Sequence, residues 1–266
     1  MQEASPPASA HRTLALRERY LDLVERSLLN SIHGEPRLEA TLRRAGMRLA
    51  HPWQTRAWRP QDFWPVKAHT MISPARLSHL RGLAEATLAD GIPGDYIETG
   101  VWRGGACILM RAVLAAHGVT DRRVFVADSF EGLPRPDANR YPADSRDRLF
   151  RFDELAVSEA EVRRNFDAYG LLDQQVVFVK GLFKDTLPSL KGQTFALIRL
   201  DGDMYESTLD ALTNLYDAVS PGGFVIVDDY GILGSCRKAV HDFLDGRGLA
   251  PRIEDIDGQG VWWRKA

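Results

Sequence analysis

The chain has 266 residues, 44% hydrophobic and 26% charged, which suits one large α/β domain with accessory segments or two small domains. A formal net charge of -2, with basic residues scattered, gives no footprint for tracking nucleic-acid phosphates. Cys107 and Cys236 offer neither a disulfide framework nor zinc spacing, and no run reaches the roughly 18 apolar residues of a membrane span.

Residues 1–13 read as disordered; their Pro/Ser/Ala-rich start lacks a signal-peptide core, so a cytoplasmic location is expected. An amphipathic helix follows over 14–32, with Leu16, Leu21, Val24 and Leu28 near helical spacing. An arginine-rich helix is expected over 38–49. A loop over 51–67 then carries Trp53, Trp58 and Trp64, whose rings need burial against core, ligand or partner subunit. Ser73-Pro74 starts a helix running to about Ala89. Residues 14–92 thus read as a cap, and 93–266 as the main domain.

The main domain alternates regularly. Strands are expected over 96–99, 123–128, 176–180, 195–201 and 224–229, with helices over 104–117, 158–169, 206–219 and from 230 to 247. Such alternation implies a parallel sheet covered on both faces. Asp257-Gly258, between two short extended runs, predicts a tight terminal hairpin. Five parallel strands closed by an antiparallel hairpin form the Rossmann-like sheet of a class I methyltransferase, here with an N-terminal helical cap.

In such sheets ligands sit beyond the carboxyl ends of the strands. After the first strand stands Glu98-Thr99-Gly100-Val101-Trp102, which lacks the GxGxxG of a pyrophosphate site. An acid before the glycine suits a ligand with a cationic amino-acid tail. After the second strand, Asp128-Ser129-Phe130-Glu131-Gly132 places a carboxylate where ribose hydroxyls can be bound. Together these favour S-adenosylmethionine over a nicotinamide cofactor. The fourth and fifth strands end in Asp201-Gly202-Asp203 and Asp228-Asp229. Adjacent carboxylates repel unless a cation or proton neutralises them, and oxygen-only ligands point to a hard ion such as Mg²⁺.

The words IETGVWRGGA (Ile97–Ala106), ADSFEGLP (Ala127–Pro134), FDELAVS (Phe152–Ser158), IRLDGDMYEST (Ile198–Thr208) and PGGFVIVDDY (Pro221–Tyr230) resemble the macrocin O-methyltransferase family. The resemblance runs from about Trp64 onward. It implies S-adenosylmethionine and Mg²⁺ as cofactors, and as acceptor a deoxysugar hydroxyl on an antibiotic or related natural product. It also implies Asp201, Asp228 and Asp229 as metal ligands, with Asp201 the general base. Glu98, Thr99, Gly100, Val101, Trp102, Asp128, Ser129, Phe130, Gly132 and Ser158 are expected around the cofactor. Thr70 and Met71 would close over its methionine, and Gly181, Leu182 and Phe183 over its adenine, Leu182 standing where the family would have Trp. Residues 141–152 would form a lid. A homo-oligomer acting on a small molecule, with no nucleic-acid or membrane partner, is the expectation.

Four other readings remain open at this point: metal-free transfer with His69 as base, a catechol-type metal enzyme on an aromatic diol, a non-catalytic S-adenosylmethionine-binding protein, and a reductase.

Overall fold

The computed structural model describes residues 8–34 and 64–266. The helix expected over 38–49, Trp53 and Trp58 lie outside the described residues. Helix α1 (Ala8–Leu28) starts at Ala8 and not at residue 14, in keeping with the high helix propensity of Ala8 and Ala10. It buries Leu21, Val24 and Leu28 in one core with Leu77 and Leu80 of helix α2 (Pro74–Ala89) and Ile108 and Leu109 of helix α3 (Gly105–Ala116). The buried Arg81 of α2 is held by Asp22 of α1 at 2.7 Å, with Glu18 and Glu25 beside it. The cap helix therefore shares its core with the sheet domain. As expected, Ser73 caps α2, its hydroxyl accepting from the Arg76 N–H.

Among the described residues the sheet has seven strands in the order β3-β2-β1-β4-β5-β7-β6. These are β1 (Asp95–Thr99), β2 (Val124–Asp128), β3 (Val176–Lys180), β4 (Phe195–Leu200), β5 (Val219–Val227), β6 (Glu254–Asp255) and β7 (Val261–Arg264). The first five are mutually parallel, and β7 is antiparallel to both neighbours, so it alone runs against the sheet. Helices α2, α3 and α4 (Glu159–Ala168) cover one face. The other face carries the short helix α5 (Phe183–Thr186), α6 (Tyr205–Leu215) and α7 (Gly234–Gly246).

Further elements differ from expectation: β5 begins at Val219, taking the end of the helix expected over 206–219, and α5 stands between β3 and β4 where no helix was expected. The tip of the terminal hairpin is three residues, 257–259, closed by the Ile256 N–H donating to Gly260 O at 2.9 Å. Asp257 serves both sides: Oδ1 accepts from the Gln259 and Gly260 N–H groups within the tip, while Oδ2 accepts from Ser73 Oγ at 2.6 Å and Arg76 Nε at 3.1 Å. The β2–α4 connection, expected to be a structureless lid, folds into 3-10 turns over Pro142–Asp144, Leu149–Arg151 and Asp153–Leu155.

Chain order reverses between β1 and β4, so the crevice expected of an open parallel sheet lies at their carboxyl ends. Register sets Glu98 beside Arg199, and Thr99 beside both Leu200 and Ala127. Gly100, at φ +85°, lets the two loops cross here: a Cβ would stand 1.8 Å from the carbonyl oxygen of Asp201. No helix among the described residues is long and apolar enough to cross a membrane.

Candidate active site

A cavity of about 510 Å³ opens at these strand ends. From the β1 loop it is lined by Glu98, Gly100, Val101 and Trp102, and from the β2 loop by Asp128, Ser129 and Gly132. Thr70 and Met71 come from the segment before α2, Gly181, Leu182 and Phe183 from the end of β3. Asp201, Asp228 and Asp229 complete the wall at β4 and β5. Trp64 also reaches it, packed edge-on against Phe152 with ring centres 5.1 Å apart.

Three residues expected at the cofactor lie outside this wall. Thr99 alternates to the opposite side of β1 from Glu98 and is fully buried. Phe130, at φ +57°, turns into the core against Phe178. Ser158 caps α4, its hydroxyl accepting from the Glu161 N–H at 3.2 Å. His69 lies off the wall too, its ring 5.6 Å from that of Tyr169. Burial first, then Arg103, lowers its pKa, so it is a weaker base than an ordinary histidine.

Asp128 ties the two loops together: Oδ2 accepts from the Val101 N–H at 2.7 Å and Oδ1 from the Phe130 N–H at 2.8 Å. Burial nevertheless raises its pKa above the ordinary carboxylate value. Glu98 has both oxygens engaged, by Arg199 and by the Cys107 thiol, which donates at 2.8 Å. Burial pushes Glu98 up to about 7, with Arg199 opposing.

Arg199 and Arg76 are residues that sequence reasoning passed over. Arg199, 1% exposed in the middle of an apolar strand, donates to Glu98, to Asp201 at 2.7 Å and to Asp228. An arginine inside a central strand was the available signal, because such a charge is buried only with partners. Arg76 donates to the other oxygen of Asp228 and, at 2.8 Å, to Gln259 Oε1. One metal-ligand candidate is thus gripped by two guanidiniums.

Asp201, Asp228 and Asp229 each offer an oxygen, all within 4.8 Å of one another. Asp203 stands next to them, its N–H donating to Asp229 at 3.0 Å. Burial, then repulsion led by Asp201 at Asp203 and by Asp203 at Asp229, holds both carboxyls well above their ordinary range. Burial pushes Asp228 up to about 6 despite Arg199 and Arg76. The two arginines leave this carboxylate group under-compensated. An all-oxygen donor set with surplus negative charge fits a hard divalent cation.

A further carboxylate on the wall, Asp210 of α6, is half-buried and pushed up to about 6 by burial and then by Glu206. Its folded form binds a proton more tightly than the unfolded chain. Its contribution to stability is therefore full below the ordinary carboxylate value and lost as pH rises through about 6. Asp210→Asn is expected to melt higher than wild type near about pH 8, the gain vanishing near about pH 4. Thermal scans showing the same difference at both pH values would refute this.

The strand order, the reversed seventh strand and the acid-lined crevice define a class I S-adenosylmethionine-dependent methyltransferase fold. The chain belongs to the macrocin O-methyltransferase family: the family model described as Macrocin-O-methyltransferase (TylF) matches residues 17–265. It is an O-methyltransferase. It is 51% identical over 249 residues, 93% of each chain, to the 8-demethyl-8-(2,3-dimethoxy-alpha-L-rhamnosyl)-tetracenomycin-C 4'-O-methyltransferase of Streptomyces olivaceus. Mycinamicin III 3''-O-methyltransferase of Micromonospora griseorubida is 45% identical over 252 residues, 94% of this chain and 97% of that one. The solved structure of the O-methyltransferase NovP has a TM-score of 0.82 at 45% identity, covering 94% of this chain and 99% of its own.

Proposed function

We propose that the protein methylates a hydroxyl of a deoxysugar carried by a natural product, using S-adenosylmethionine and a divalent cation, Mg²⁺. The observation that carries this is the placement of Asp201, Asp228 and Asp229 in one cavity with Asp128 and the Gly100 turn. The relatives' names support the acceptor class, since they act on a rhamnosyl tetracenomycin and on mycinamicin III.

In this reading Asp128 accepts from the ribose hydroxyls, and Thr70, Met71, Gly100, Val101 and Trp102 enclose the methionine portion. Gly181, Leu182 and Phe183 face the adenine. Because Glu98 is already paired with Arg199, it acts by holding that arginine more than by attracting the cofactor's ammonium group. Asp201, Asp228 and Asp229 would hold the cation, which when bound lowers the acidity barrier of a poorly acidic sugar hydroxyl. Asp201 takes the proton: Oδ2 is held by Arg199, while Oδ1 accepts no hydrogen bond from the described residues.

Chelation is expected to abolish methylation of a glycosylated acceptor and Mg²⁺ to restore it, with S-adenosylhomocysteine binding retained throughout. Full turnover in a thoroughly chelated sample, followed by mass spectrometry of the product, would remove the cation from the mechanism.

A further inference from the structure

Helix α6 begins directly after the Asp201-Gly202-Asp203 turn, and its N-cap residue, Met204, makes no side-chain cap bond. The first-turn amides of a helix need acceptors from somewhere. Here they find one in the β2–α4 connection, 61 residues earlier in the chain. Asp144 Oδ1 accepts from the Tyr205 N–H at 2.7 Å, and Oδ2 from the Glu206 N–H at 3.0 Å.

Asp144 is 1% exposed. A carboxylate so far removed from water is costly unless hydrogen-bonded, and the positive end of a helix compensates it. A second contact reinforces the first, the Tyr141 ring lying 5.8 Å from that of Tyr205. The far end of the connection is tied back to the β1 loop by Trp102 Nε1 donating to Glu154 O at 2.8 Å. Between these two anchors the connection lends Leu149 to the cavity wall, with Arg135 and Arg140 just before the first and Leu155 next to the second.

We propose that Asp144 is a positioning residue: its carboxylate fastens the β2–α4 connection to the helix that follows Asp201, and so fixes the acceptor-side wall against the Asp201 carboxylate. It touches no reacting atom. Its kinetic consequence rests on the methyltransferase reading above, whereas its structural consequence does not.

The test compares wild type, Asp144→Ala and Asp144→Asn in the full chain. Hydrogen exchange at Tyr205, Glu206 and residues 133–156 should quicken about tenfold in the alanine variant, as loss of a buried cap implies. The acceptor KM should rise about tenfold or more, because a loosened loop no longer presents its wall. Affinity for S-adenosylhomocysteine should stay within about twofold, since its proposed contacts lie on other loops or at the root of this connection, ahead of the stretch that Asp144 fastens. Asparagine, which keeps one carbonyl acceptor, should fall between the two, and it carries the comparison if the alanine variant does not fold. Unchanged exchange in both variants overturns the fastening. Quickened exchange with an unchanged acceptor KM overturns the positioning role and leaves Asp144 a helix cap. Should wild type methylate no glycosylated acceptor, the functional reading fails, and exchange still decides whether Asp144 holds the connection.

Discussion

Asp201→Asn is expected to bind S-adenosylhomocysteine as wild type does, while turnover falls by about 10²-fold or more, the usual scale for a lost general base. The substitution preserves volume and can still accept a hydrogen bond from Arg199, so the fold around β4 should persist. What the amide lacks is the basicity to take a proton from the acceptor hydroxyl. Asp228→Asn should behave differently. Its main effect on activity should be through cation affinity, so raised Mg²⁺ should partly restore it and leave Asp201→Asn low. Calorimetry with the demethylated cofactor, together with turnover across a Mg²⁺ series, separates the two. If saturating Mg²⁺ returned Asp201→Asn to near the wild-type rate, Asp201 would be a cation ligand only.

Arg199→Met should have the largest effect on stability. The guanidinium is buried on the central strand and compensates Glu98, Asp201 and Asp228 at once. Methionine fills much of the same volume but leaves these carboxylates without their shared cation. Breaking a buried ion pair from one side costs about 3–5 kcal/mol. The deficit should depend on pH with a definite sign. Glu98, pushed up to about 7 even with Arg199 present, takes up a proton more readily without it. Protonation relieves the unpaired charge, so the deficit should shrink as pH falls from about 8 to about 6. Denaturant unfolding at several pH values reads this directly. A loss below about 1 kcal/mol that does not change with pH would show that the network is dispensable.

Much of this protein is written locally. The alternation of apolar runs with helical periods set out β1 to β5 and the longer helices between them, though not α5. Turn glycines and a serine cap marked where elements begin, because these are properties of a few neighbouring residues. The acidic words at the ends of β1, β2, β4 and β5 likewise announced where the crevice would be. An open parallel sheet has its ligand site at those ends whatever the detail of the loops.

The partners of those acids were not legible. Arg76 meets Asp228 across 152 residues of sequence, and Asp144 meets the α6 amides across 61. Nothing within a turn of either residue indicates such a contact. Packing also decided which side chains of a correctly placed word face the cavity. In Glu98-Thr99 the pleat sends one residue to each face, and Phe130 follows a left-handed backbone into the core. The hairpin tip holds a contact of the same kind, since Asp257 reaches Ser73 and Arg76 across 184 and 181 residues while keeping its bonds within the turn. Local propensity is a matter of tenths to about one kcal/mol per residue, whereas leaving a buried charge unpaired costs several. Sequence therefore determined most of the elements and the acidic strand ends that line the cavity. Tertiary structure decided which charges compensate one another there, because only the folded chain removes them from water and makes that compensation obligatory.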